Sequence, residues 1–310
     1  MSQTEPREPS AGLAPLLLGL LAMAAPVAAE TLDATPRIAV ISAFAPEWTV
    51  LHDRMEAPAE HRINGARFVT GTLGGAPVVL FLSGISMVNA AMTTQMALDH
   101  FAVEGIVFSG IAGGADPALA IGDVSVPAEW SQYLESAMAR ETAEGFVPPP
   151  WMTKQGENFG MIFPQPVGVV SARRDGIEER AFFPVDPGYL KVAERVAGEI
   201  DLATCNAENA CLGHAPRIVV GGAGVSGQSF VDNAKLREWA HDVFGARVID
   251  MESAAVAHVA YVNEVPFIAF RSLSDLAGGG EGANEMATFM SLAATNSALV
   301  VERFLAELPD

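Results

Sequence analysis

Basic residues are scarce: 18 Lys and Arg stand against 37 Asp and Glu, leaving a formal net charge of −19. A field of that sign repels phosphate backbones, so DNA, RNA and anionic membranes are expected to be poor partners. A neutral small molecule is not excluded by it. Histidine is rare too, with six residues scattered along the chain and no H-x-x-x-H spacing, so no metal site is expected. Only two cysteines occur, Cys205 and Cys211 in the segment CNAENAC. In an oxidising compartment they are expected to bond and close a small loop; in a cytoplasm they read as two free structural thiols. Beyond the first thirty residues no apolar run is long enough for a transmembrane helix.

What is present begins with an export pattern. APLLLGLLAMAA at 14–25 is a short apolar stretch, and VAA at 27–29 supplies the small residues of a cleavage site before Glu30. Glu5 and Glu8 beside Arg7 depart from the usual positive start. Residues 1–29 are expected to be a signal peptide. The mature chain is then periplasmic or secreted, and free of the membrane after cleavage. Half of the 310 residues are hydrophobic, enough for one substantial core, and 30–310 is read as a single domain.

From position 37 short β-rich runs alternate with helical patterns. Strands are expected at 37–42, 66–70, 77–83, 105–109, 123–127, 217–221, 247–250 and 266–271. Helices are expected at 46–55, 87–100, 187–200, 233–244, 252–263 and 284–308. Nearly continuous apolar strands between helices imply a sheet covered on both faces, hence a three-layer α/β/α domain with a central mixed sheet. The stretch at about 131–214, rich in Pro, Gly and charge, is expected to be a long excursion with one helix.

GAGVSG at 222–227 matches G-x-G-x-x-G after an apolar strand. A dinucleotide site needs a helix that opens within the glycines, yet QSFVD at 228–232 intervenes. Three acids stand at strand exits instead. Glu47 follows RIAVIS, Asp275 follows PFIAFR, and Glu252 lies where a strand passes into ESAAVAHVA. Sites in open α/β sheets collect beyond the carboxyl ends of strands. Each acid taken singly also reads as an ordinary helix cap.

The segments IAVISAFAPEWTVL (38–51), LSGISMVNAA (82–91), GIVFSGIAGGADPALAIGDVSVP (105–127), VSGQSFVDN (225–233), VIDMESAAVAHVA (248–260) and VPFIAFRSLSDLA (265–277) follow one another along the chain. In these the chain resembles the purine nucleoside phosphorylase/uridine phosphorylase superfamily, and within it the methylthioadenosine/S-adenosylhomocysteine nucleosidases. Secreted bark storage proteins share the look of SFVDN and SDLAGG. The resemblance implies a nucleoside phosphorylase-like fold and hydrolysis of the N-glycosidic bond of a purine nucleoside, with no cofactor and a homodimeric state.

Residue by residue, the resemblance makes Asp275 the general acid at purine N7 and Glu47 the carboxylate that activates water. Glu252 with Met251 would hold the ribose hydroxyls, Phe230 would stack on the base, and Val231 would border it. Phe44, Ile85 and Met286 would form an apolar pocket for the 5′ substituent, with Ile111 and Ser274 in the same substrate-binding set. The chain departs from the pattern at Ile111, where the family commonly has Ser, and at Ala45 and Pro46, where it has acids.

Two alternatives stand beside this reading. A phosphate-dependent phosphorylase would need a basic anion clamp, and the turns SGIS and SGIAGG contain no Arg or Lys. Arg271 is expected to pair with a structural carboxylate. A non-catalytic secreted nucleoside-binding or storage protein would be expected to lack the three acids.

Overall fold

The computed structural model describes residues 30–152, 155–280 and 282–309; the expected signal peptide at 1–29 lies outside the described residues. The first half comprises β1 (Asp33–Ser42), α1 (Ala45–His52), β2 (Glu56–Ile63), β3 (Ala66–Leu73), β4 (Ala76–Leu82), α2 (Met87–His100) and β5 (Phe101–Gly114). After β6 (Val124–Val126) and β7 (Glu129–Ser131) come three small hairpin sheets. They pair β8 (Ser136–Met138) with β11 (Ile162–Pro164), β9 (Arg140–Thr142) with β10 (Gly145–Val147), and β12 (Val167–Ser171) with β13 (Arg174–Arg180). The remainder is β14 (Phe183–Pro184), α3 (Pro187–Val196), β15 (Ile218–Val220), β16 (Ala223–Ser226), α4 (Ala234–Phe244), β17 (Ala246–Asp250), α5 (Ser253–Asn263), β18 (Phe267–Asp275) and α6 (Met286–Ala306).

Twelve strands join one mixed sheet that forks at β5. On one side β5 pairs in parallel with β1, which leads to β4, β3 and β2. On the other it pairs in parallel with β18, while its last residues, Gly113 and Gly114, meet β17 antiparallel. β18 is buried along its whole length, as a strand covered on both faces must be. Successive side chains point to opposite faces. Phe270 meets Phe304 of α6, and Arg271 donates to Ser253 Oγ at the start of α5 (2.9 Å). The layered α/β architecture and mixed sheet agree with the sequence reading.

Three details correct it. The strand expected at 266–271 continues to Asp275; Ser272 and Ser274 are polar but buried, so the apolar signal stops early although the strand does not. The glycine-rich stretch at 222–227 contains a strand, Ala223–Ser226, and no helix opens before Ala234. Its glycines let aromatic rings lie against the backbone: a Cβ at Gly224 would sit 2.6 Å from the Trp130 ring, and one at Gly227 2.7 Å from Tyr133. The excursion carries the one helix expected of it, α3, and adds the three small two-stranded sheets, which the sequence reading did not foresee.

Cys205 and Cys211 form a disulfide. Within the loop Asn206 accepts from Glu208 and Ala210 main-chain N–H groups (3.1 and 2.8 Å) and donates to the Thr288 carbonyl of α6 (2.8 Å). Closing a loop of about seven residues restricts the unfolded chain by about 2 kcal/mol. Reductant should therefore lower the urea midpoint by the equivalent amount, and a Cys205→Ser, Cys211→Ser double variant should unfold at that same midpoint.

Candidate active site

Glu47 sits in the first turn of α1, after Pro46. Its Oε2 accepts main-chain N–H groups of Ala43 (2.7 Å) and Phe44 (3.4 Å), while Oε1 accepts that of Ile111 (2.8 Å). It caps the helix through one oxygen, as the bland reading of the sequence allows, and turns the other to β5. Burial pushes its pKa up, opposed by Arg271 and by the three N–H donors.

Asp250 ends β17, and its Oδ1 takes the main-chain N–H groups of Glu252 and Ser253 (3.2 Å each) and the Ser226 hydroxyl. Asp250 therefore serves the start of α5, which frees the Glu252 side chain for the cavity. Glu252 Oε1 accepts the Ser86 N–H (2.8 Å), presented from a backbone with φ of 80°. Burial is the main cause that pushes Glu252 up to about 7, with Arg271 opposing and Asp250 and Glu47 adding repulsion.

Arg271 links these acids. Fully buried in β18, it places Nε 2.7 Å from Asp250 Oδ2 and Nη2 3.6 Å from Glu252 Oε2. Its guanidinium lies 3.9 Å from the Phe108 ring centroid. Neither Nη1 nor Nη2 has a hydrogen-bond partner among the described residues. Gly110 provides the space: a Cβ there would collide with Arg271 Nη1 and lie 2.7 Å from Glu47 Oε1.

Asp275 closes β18. Oδ1 accepts from the Ala277 N–H (2.8 Å) and Asn284 Nδ2 (3.3 Å), and Oδ2 from Ser274 Oγ (2.9 Å). Burial raises its pKa, the three donors oppose that rise, and Glu285 adds to it. Glu47 thus abuts Gly110 and Asp275 lies 3.2 Å from a Cβ at Gly113. Those glycines are three residues apart on one strand, about 10 Å.

Between the two carboxyls lies a cavity of about 350 Å³ that is mostly apolar, and all eleven residues singled out from the sequence line it. Glu47, Asp250, Glu252 and Asp275 are its acidic lining residues, with Met251 beside Glu252. Val231 is buried, whereas Phe230 and Ile85 are 55% and 53% exposed and form the mouth. Ile111 packs with Phe44, Met286 and Met290 against α6, so the departure from Ser puts apolar bulk on that wall. Ser274 lines the cavity, but its hydroxyl is directed to Asp275. The sequence reading paired Arg271 with a structural carboxylate, and Asp250 is that partner; it did not foresee that Arg271 also reaches the cavity acids. It also missed Asp250, Asn284 and Met290.

The sequence profile of the phosphorylase superfamily matches residues 37–306. A 5′-methylthioadenosine/S-adenosylhomocysteine nucleosidase of Listeria monocytogenes is 31% identical over 269 residues, 86% of this chain and 98% of that protein. The same-named protein of Bacillus thuringiensis is 31% identical over 274 residues, 88% of this chain and 99% of that one. Among solved structures, the S-adenosylhomocysteine nucleosidase of Streptococcus pyogenes, in complex with 5-methylthiotubericidin, superposes with a TM-score of 0.66 at 24% identity, covering 89% of this chain and 98% of that chain. The futalosine hydrolase of Helicobacter pylori gives 0.66 at 23% identity, covering 88% and 98%. Both likenesses concern the fold.

Proposed function

The chain belongs to the phosphorylase superfamily, and within it we propose that it hydrolyses the N-glycosidic bond of a purine nucleoside. The observation that carries this reading is one apolar cavity with two buried carboxyls of raised pKa, Asp275 and Glu47, beside opposite ends of the same stretch of β5. Asp275 gives its proton to N7 as the C–N bond breaks, and the bonding pair leaves with the base. Water adds to the anomeric carbon and passes a proton to Glu47, the division of labour known for paired carboxyls in glycoside hydrolysis. Nη1 of Arg271 stands near Glu47 at Gly110, behind the cavity wall, and its charge favours the ionised form of Glu47 that takes this proton. Glu252 orients the ribose hydroxyls with Met251 beneath them, Phe230 stacks on the base and Val231 borders it. Phe44, Ile85, Ile111 and Met286 take an apolar 5′ substituent. The names of the relatives support a substrate of the methylthioadenosine or adenosylhomocysteine type.

One observation favours phosphate as acceptor: two buried guanidinium nitrogens have no hydrogen-bond partner among the described residues. Against it, Arg271 already faces Asp250 and Glu252, with Glu47 near, and a phosphate dianion placed among three carboxylates would be repelled. Base release from a nucleoside panel, followed by chromatography, should proceed equally with and without phosphate and yield free ribose. Strict phosphate dependence, with a ribose 1-phosphate product, would reverse the choice.

We propose further that the mature chain acts outside the cytoplasm as a homodimer. The Cys205–Cys211 bond supports the first point. Exposed Ile85, Val88 and Met92 at the start of α2 support the second.

A further inference from the structure

We infer that Asn284 is a positioning residue that fixes the transferable proton of Asp275 on Oδ2 and ties that acid to the segment bearing Phe230 and Val231. The inference rests on the reading of Asp275 as the acid. It concerns a residue in the glycine-rich connection between β18 and α6.

A neutral carboxyl carries its proton on one oxygen only. Oδ1 of Asp275 receives two N–H groups, from Ala277 (2.8 Å) and Asn284 (3.3 Å), and neither nitrogen can accept a proton. Oδ1 is therefore the carbonyl oxygen, and the hydroxyl is on Oδ2. The neighbour of Oδ2 is the Ser274 hydroxyl at 2.9 Å, which also lies 3.5 Å from the Ala112 carbonyl. A hydroxyl can rotate: it can turn its hydrogen to Ala112 while Asp275 is protonated and back to Oδ2 once the proton has left.

The orientation of the Asn284 amide follows from its surroundings. Nδ2 faces two carboxylate oxygens, Asp275 Oδ1 and Asp232 Oδ1 (3.1 Å), and Oδ1 accepts the Met286 N–H (3.0 Å). Turned over, the amide would aim an oxygen at two carboxylates and an NH₂ at an N–H group. One side chain thus reaches the acid, the residue after Phe230 and Val231, and the first turn of α6, which carries Met286. A second tie runs alongside. Asn233 N–H donates to the Ala277 carbonyl (3.1 Å), and Gly278 passes so close that a Cβ would lie 2.6 Å from the Asp232 carbonyl carbon.

Other charges face this corner. Glu285 follows Asn284, Asp232 lies beyond its amide, and Arg237 of α4 donates to the Gly114 carbonyl (2.8 Å). Glu47 and Glu252 line the cavity opposite. Asn284→Ser leaves all of these charges in place, so in that variant a change in Asp275 titration reports loss of the amide donor, whereas Asn284→Asp adds a charge to that loss. A donor to Oδ1 favours the ionised carboxyl, so its loss raises the Asp275 pKa.

The test uses Asn284→Asp and Asn284→Ser, both of which keep an oxygen for the Met286 N–H and so protect the start of α6. The pH profile of kcat/KM should retain its acidic limb, set by Glu47, while its alkaline limb moves up by about half a pH unit in Ser and further in Asp, where charge is added. Turnover at neutral pH should fall about three- to tenfold, a fraction of the full acid contribution. Carbon-13 NMR titration of the Asp275 carboxyl in the free protein should show the same upward displacement, independent of activity. Unmoved limbs and an unmoved carboxyl titration, in proteins that melt like wild type, would overturn the inference. If Asp275→Asn in parallel destroys turnover, only the role of Asn284 fails; if it retains turnover, the acid assignment fails first.

Discussion

Asp275→Asn should lower kcat by about two to four orders of magnitude while KM moves only a few-fold, the range attributable to general acid catalysis. The substitution is nearly isosteric, and its carbonyl oxygen can keep the Ala277 and Asn284 hydrogen bonds on Oδ1. The cavity and stacking surface are preserved, so binding survives. What disappears is a proton that can be given away: an amide N–H can point at N7 but cannot neutralise the leaving base. Wild-type activity should also fall on the alkaline side as Asp275 ionises, from a pKa that burial has raised, and the residual activity of the variant should lack that limb. Steady-state kinetics across pH, with thermal melts to verify folding, measure both. A loss of less than tenfold would remove Asp275 from the chemistry.

Arg271→Met should be the most destabilising single change at the site, costing about 3–5 kcal/mol, because deleting one partner of a buried ionic cluster leaves the others uncompensated. Here the stranded partners are Asp250, 2.7 Å from Nε, and Glu252, 3.6 Å from Nη2. The deficit should depend on pH. Glu252 has a folded-state pKa of about 7 against an ordinary 4.5. It binds its proton more tightly when folded, so its contribution is complete below its ordinary pKa and lost as pH climbs through about 7. Without Arg271 that pKa rises further, so the variant should be weakest above neutrality and recover part of its stability near pH 5. Urea unfolding at two pH values tests this, and a deficit below 1 kcal/mol, or one that grows on acidification, would contradict the cluster as described.

Much of the fold could be read from residue order, and the lining of the candidate cavity from the resemblance of the quoted segments. Glu47, Glu252 and Asp275 each follow a recognisable apolar strand, and strand exits are where an open α/β sheet gathers its chemistry. Arg271 was half legible. An arginine after PFIAF resembles a strand end, and its carboxylate partner was anticipated without being located, since Asp250 and Glu252 belong to another strand–helix junction. Asn284 was illegible for a related reason, because its three hydrogen bonds go to positions 232, 275 and 286, and only folding assembles them. β16 was hidden by the glycines in and around it: Gly221 and Gly222 turn the chain into it with positive φ, while Gly224 and Gly227 accommodate Trp130 and Tyr133. The hairpins of the excursion are short strands with many exposed residues, so they show no sustained alternation of apolar and polar positions.

Gly110 sets the mechanical tolerance of this arrangement. Its side chain is a single hydrogen, and the volume a methyl group would need is already held by a guanidinium nitrogen on one side and a carboxylate oxygen on the other. Strand, cation and the Glu47 carboxyl are therefore in register with no slack between them. Whatever shifts that strand by a few tenths of an ångström must also re-aim this carboxyl, so under the proposed function the core's rigidity and the alignment of the attacking water would be one and the same constraint.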